Sequence, residues 1–425
     1  MQLASFRADV TPPIGHPLCA GWMPPAVGMT DPLHALGVVL FGEGTPVVLV
    51  ALDWCEISNR SHIQWRERIA ATVGTRPDRV AVQCVHPHCT PWPDEEAQRL
   101  VSEQKGVLLI MDPKWCGEAI GRVAAAAQVA AMNPQTVTHI GLGRARVEQV
   151  ASNRRILGPD GKIKAVRWTK TIAPAVRAEP EGLIDPWLKT ISFWNRDKKL
   201  AVLHYYAVHP TSYDNDSTIT PDFTGLAREC RAREDGVPHI YFTECAGNIT
   251  AGKYNDGAKE NRPVLTERIY RALVESEQKT ERVPIRQFVW QAKAVQLPPL
   301  EPNEASLAAI LSDETRTSKD RCRAAMQISY LRRAADPIPF TRLSFDDRVH
   351  ILHLPGEPFV EYQLFAQQQR PESFVAVAGY GDCGPGYVCM EKSFAEGGYE
   401  PTDSFVAPRS EAIMKEAITD LMRAG

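Results

Sequence analysis

Several apolar runs in this chain show no polar alternation, and that feature narrows the folds it can adopt. "PVVLVALD" (46–53) and "RVAVQCV" (79–85) are apolar almost throughout. A strand of that kind has to be covered on both faces. Residues 61–74 between them have helical spacing, and the Ala-rich stretch 113–132 reads as a helix with Pro113 in its first turn. Further strands are expected at 138–147, 188–195, 200–209, 287–297 and 347–357, and amphipathic helices at 261–280 and 316–335. Strands alternating with helices predict an α/β fold: a single large mixed-sheet domain covered by helices, spanning 1–425, with a sub-domain break placed near 300. Residues 154–187, rich in Gly, Pro and charge, read as a long surface loop, and no internal repeat is visible.

Lys and Arg number 48 against 51 Asp and Glu, a net charge of -3, which argues against a nucleic-acid binder. The ten cysteines contain no CxxC pair, so a zinc ribbon or redox dithiol is not expected. No run reaches the ~18 apolar residues of a transmembrane helix. "MQLASFRADVTPP" lacks the features of a signal peptide, so a cytoplasmic location is expected, although a mature exported form fits as well.

Polar residues at the strand ends carry the chemistry, because ligands bind past strand ends in open α/β sheets. His86 and His88 follow the 79–85 strand as an HxH pair, whose spacing lets both imidazoles face one side. His209 closes the 200–209 run, and Glu357 follows a strand and a Pro-Gly turn. Tyr380 and Tyr387 lie in the Gly-rich "GYGDCGPGYVCME". Each feature is weak alone, and Asp222 reads as a cap on the helix that follows it, with support of a histidine as the alternative.

Taken in order, "ADVTPPIG", "DPLHALGVVL", the HxH pair, "SNRR", "DPWLKTISFW", "YAVHPT", "PDFTGLA", "CAGNIT", "PGEPF", "GPGYVC" and "GGYEP" resemble the neutral ceramidase family, in its N-terminal catalytic domain, from about residue 7 to about residue 400. The resemblance implies a zinc site formed by His86, His209, Glu357 and Tyr387, with manganese or iron as alternative ions. It assigns His88, Tyr399 and Thr250 to catalysis, and Arg154, Trp92 and Asn248 to the substrate. Two departures stand out. The family's "HTHSGP" is "HPHCTPW" here, putting Trp92 where it narrows a pocket, and "GNAGDVSPN" is "CAGNITAGKYN", with Asn248 at the Asp position and Thr250 at the Ser position. With no C-terminal immunoglobulin-like domain expected, the anticipated substrate is a small polar N-acylated molecule rather than ceramide. The expected reaction is zinc-dependent amide hydrolysis by activated water. An ester or lactone hydrolase, or a metal-dependent lyase or isomerase on a sugar-like substrate, uses the same residues. A homo-oligomer is compatible with the sequence.

Overall fold

In the computed structural model, which describes residues 1–213, 216–300 and 303–423, three sheets of five, five and four strands are built to one plan. Three consecutive antiparallel strands are followed by a helix and a fourth strand parallel to the third. In the first unit these are Gln2–Asp9, His34–Phe41, Val47–Leu52, the helix Asn59–Val73, and Val80–Cys84. The second unit repeats the plan with His139–Arg146, Trp187–Asn195, Lys198–Tyr206, the helix Asp222–Asp235, and His239–Thr243. The third runs Phe288–Val295, Ile338–Phe345, Val349–His353, the helix Val360–Gln369, and Phe374–Ala378. A second helix then packs back on each sheet: Pro113–Ala131, Asn261–Gln278 and Ser410–Arg423. After the first two, a short strand closes the edge of its sheet (Gln135–Thr136, Glu281–Pro284).

The mixed α/β class expected from the sequence is therefore present, but with a threefold structural repeat that the residues do not announce. What repeats is the hydrophobic pattern and the connectivity, and many residue identities satisfy both. The break expected near residue 300 adjoins residues 301–302, which lie outside the described residues.

The third and fourth strands explain the continuous apolar runs. Val47–Leu52 and Val80–Cys84 are buried at every position because helices cover one face and neighbouring units the other. One apolar cluster runs through all three sheets. The fourth strands meet centrally: the Cys84 amide donates to Tyr380 O (2.8 Å), Gly379 N to Thr243 O (3.0 Å) and Thr243 Oγ1 to Val85 O (2.6 Å). The ends of three sheets thus open onto one place.

Residues 154–187 depart from the surface loop expected. They contain short strands (Arg155–Leu157, Ile163–Val166) and a helical turn (Pro174–Ala178), and Arg154 and Arg167 are buried. Arg167 acts as an internal strut, donating to the carbonyls of Asn153, Val176, Glu179 and Pro180. A guanidinium that satisfies backbone carbonyls can be buried where composition suggests solvent. Asp222 departs in part from its reading: Pro221 holds the cap position, while buried Asp222 accepts from the first-turn amide of Phe223 and also from Ser212 and Arg262. No helix among the described residues is long and apolar enough to cross a membrane.

Candidate metal centre

His86 sits two residues past the first unit's fourth strand, in a left-handed conformation (φ 78°) that a non-glycine residue rarely adopts. Its amide donates to Trp54 O and its Nδ1 lies 2.9 Å from Cys55 O. His209 follows the second unit's third strand, with its amide bonded to Ile249 O (3.1 Å) and its Nδ1 2.8 Å from Ala246 O. A carbonyl oxygen can only accept, so both Nδ1 atoms carry the proton and both Nε2 atoms present lone pairs. Those lone pairs face a carboxylate. Glu357 Oε2 is 3.4 Å from His86 Nε2 and 3.1 Å from His209 Nε2.

The three atoms converge with no donor from another described residue between them, so only a proton on Glu357, whose carboxyl burial raises to about 7, or a cation can satisfy them. All three atoms are buried and lack a hydrogen-bond partner among the described residues. Burial holds both imidazoles well below their ordinary pKa, so neither gains the second proton that would satisfy the carboxylate. The three donor atoms lie within 4.8 Å of one another, so His86, His209 and Glu357 could hold a metal ion. A cation among them removes the repulsion, so the donor set fits one.

Tyr387 adjoins this triangle because Glu357–Pro358 pairs in parallel with Tyr387–Val388, placing the two residues side by side. Its hydroxyl contacts the Glu357 carboxyl, lies 3.2 Å from Tyr399 Oη, and is 3.5 Å from Arg154 Nη1. Arg154 is buried, with its guanidinium 5.3 Å from the Tyr399 ring and its Nε and Nη2 without partners among the described residues. Tyr399 is half-buried against Trp168, which is 52% exposed and marks the rim. The half-buried His88 ring lies 5.1 Å from that of His86 and 5.8 Å from that of His209.

The structure thus gathers His86, His88, His209, Glu357, Arg154, Tyr387 and Tyr399. The other three sequence candidates are placed differently. Asn248 receives the Val360 amide on its side-chain oxygen (2.9 Å) and donates to Glu361 (2.9 Å), tying down the start of the 360–369 helix. Its carbonyl accepts from Arg154 N, so it supports the site through its backbone. Thr250 pairs with Ser152 in a short bridge, its hydroxyl buried and unpartnered among the described residues. Trp92 packs on Trp22 and donates to Ser58 (2.9 Å).

Two residues outside the expected set of ligands and catalytic groups also reach the centre. Tyr380, also left-handed (φ 59°), lies 4.5 Å ring to ring from His86, with its hydroxyl 3.4 Å from His209 Nδ1. It was visible as a tyrosine in a Gly-rich loop, but nothing local aims it at the histidines. Glu56 is wholly buried beside Glu357, and its sequence surroundings carry no signal at all. Burial raises both carboxyls above the ordinary range, as expected for acids sharing a dry site.

A second cluster, His204, His239 and Glu277, also brings three donor atoms together. There every imidazole nitrogen has a neighbour, and Lys199 and Arg231 already neutralise Glu277 and Asp235. That cluster is a closed polar network.

Close packing holds Glu357 in place. A Cβ added to Gly247 would sit 2.4 Å from Glu357 O. Gly247→Ala is therefore expected to displace the Glu357 strand, costing about 1–3 kcal/mol of stability and weakening metal binding. Urea denaturation beside a metal titration checks this, and a variant unchanged in both would show that the contact yields freely.

No protein-family model matches this chain, and no curated protein does. Solved structures do. The crystal structure of neutral ceramidase from Pseudomonas aeruginosa superimposes with a TM-score of 0.74 at 16% identity, covering 99% of this chain and 74% of that one. A ceramidase complexed with C2 gives a TM-score of 0.73 at the same identity and coverage. The resemblance in motif order is thus matched in three dimensions, and the chain has the neutral ceramidase fold over nearly its whole length.

Proposed function

We propose that this protein is a metal-dependent hydrolase that cleaves an amide bond in a small polar N-acylated substrate, with zinc as its ion. The observation that carries the reading is the convergence of His86 Nε2, His209 Nε2 and Glu357 Oε2, three buried atoms without a hydrogen-bond partner among the described residues. Two imidazoles and a carboxylate make up a common catalytic zinc set, and the Tyr387 hydroxyl stands at its edge. A bound zinc ion polarises a carbonyl and lowers the pKa of water.

The remaining roles follow from this chain's own side chains. Arg154 and Tyr399 would supply donors to the negative charge that develops on a carbonyl oxygen, and burial of Arg154 strengthens such an interaction relative to water. The Tyr387–Tyr399 contact (3.2 Å) holds the Tyr399 hydroxyl in place. His88, half-buried beside both histidines, would take or give the proton. Trp168 and Tyr399 at the rim offer an apolar wall to an acyl group.

The test is elemental analysis of the purified chain, followed by matched amide and ester substrates. The expected result is about one zinc per chain, with hydrolysis of N-acyl compounds that a chelator abolishes. Zinc present at 100 times its dissociation constant should stabilise the fold by about 2.7 kcal/mol, read as a rise in melting temperature. A chain that stays metal-free after reconstitution with zinc would sink the proposal, and a preference for the matched esters would replace amides with esters or lactones.

A further inference from the structure

The threefold plan exposes a residue that the proposed chemistry leaves unused. The third strands of the three units end at Leu52, Tyr206 and His353. Glu56 lies four residues past the first of these ends and Glu357 four past the last, while His209 lies three past the second. The fourth strands end at Cys84, Thr243 and Ala378, with His86 and Tyr380 each two residues beyond and both left-handed. The centre is therefore assembled from equivalent positions of a repeated unit, and Glu56 is the first unit's counterpart of Glu357.

Its surroundings bear this out. Glu56 is 0% exposed, with Oε1 3.5 Å from His86 Nδ1. Its carboxyl is in hydrogen-bond contact with that of Glu357, and the Cys383 thiol is a further neighbour. Beyond these contacts, neither carboxyl oxygen has a hydrogen-bond partner among the described residues. A buried acid without a cation, and without a backbone amide to hold, has no stabilising task of its own. It touches two of the three converging side chains.

We propose that Glu56 is a positioning residue of the metal centre, fixing the Glu357 carboxyl and the His86 ring so that the three donor atoms stay converged. This rests on the reading of the site as a metal centre. Outer groups of this kind orient ligands, and their loss weakens metal binding.

The test compares the full chain with Glu56→Ala, Glu56→Asp and Glu56→Gln. Zinc affinity is measured by competition with a chromophoric chelator, and the cobalt(II)-loaded proteins are compared by visible absorption. Glu56→Ala is expected to bind zinc about 10–100-fold more weakly, with altered cobalt bands. Glu56→Asp, which withdraws the carboxyl by one methylene, should follow Ala, while Glu56→Gln keeps the shape and recovers part of the loss. Wild-type zinc affinity and cobalt bands in Glu56→Ala would overturn the proposal and leave the metal site standing. Should Glu56→Ala fail to fold, the same readouts on Glu56→Asp decide. A wild-type chain that takes up neither zinc nor cobalt would instead remove the metal reading itself.

Discussion

On the proposed reading of the site, replacing His209 with alanine is expected to strip the metal and abolish hydrolysis. The ring is set before any ion arrives: Nδ1 is committed to Ala246 O and the backbone amide to Ile249 O. Only Nε2 is left, and it points at Glu357. Alanine leaves His86 and Glu357 as an incomplete pair. The loss of affinity should exceed the roughly 10–100-fold typical of losing an outer partner. In the metal-free fold the substitution also removes the Nδ1 bond to Ala246 O and the packing of a buried ring, a cost to the fold that is separate from the loss of the ion. Elemental analysis, with melting curves in excess chelator, separates the two effects. A His209→Ala protein with one zinc per chain and full activity would show that the three-donor site is not where the chemistry occurs.

The largest effect on stability is expected away from the centre, at Lys189. Its ammonium is buried between Asp185 (2.8 Å) and Glu244 (3.1 Å and 3.2 Å). Gln363 donates to both carboxylates and Gln367 to Asp185. Lys189→Met keeps much of the volume but leaves two buried acids without their cation, an imbalance that costs about 3–5 kcal/mol.

The pH dependence follows from Glu244, which burial already raises to about 7 against the pull of Lys189. Without the lysine its carboxyl moves higher still. An acid whose folded pKa is raised adds stability below its unfolded value and loses it as pH rises through the folded one. The deficit of Lys189→Met should therefore be large near pH 8 and shrink on acidification below about 6. Urea unfolding of variant and wild type at both pH values measures it. A deficit that does not change with pH would mean lost packing rather than an unpaired charge.

These two sites show what kind of information a sequence holds. The strands 47–52 and 80–84, the helix 113–131 and the ends at His86, His209 and Glu357 were legible because hydrophobic patterning and turn residues act locally. The five-residue strand Phe374–Ala378 was too short to be distinguished by period. Residues 154–187 were misread because composition does not reveal that Arg167 spends its donors on backbone carbonyls.

The sequence by itself determined the α/β class, the places where polar residues interrupt buried strands, and the histidines and glutamate that could bind an ion. The first two depend on neighbours within a few positions, and the third on the order of short motifs along the chain. Only the tertiary structure decided that three strand ends from three repeated units meet, and that Asn248 serves a helix start. It also brought Tyr380 and Glu56 to the centre. Carbonyls from other loops set the tautomers of His86 and His209, and so aim their lone pairs. These are contacts between residues tens to hundreds of positions apart, and no local pattern encodes them.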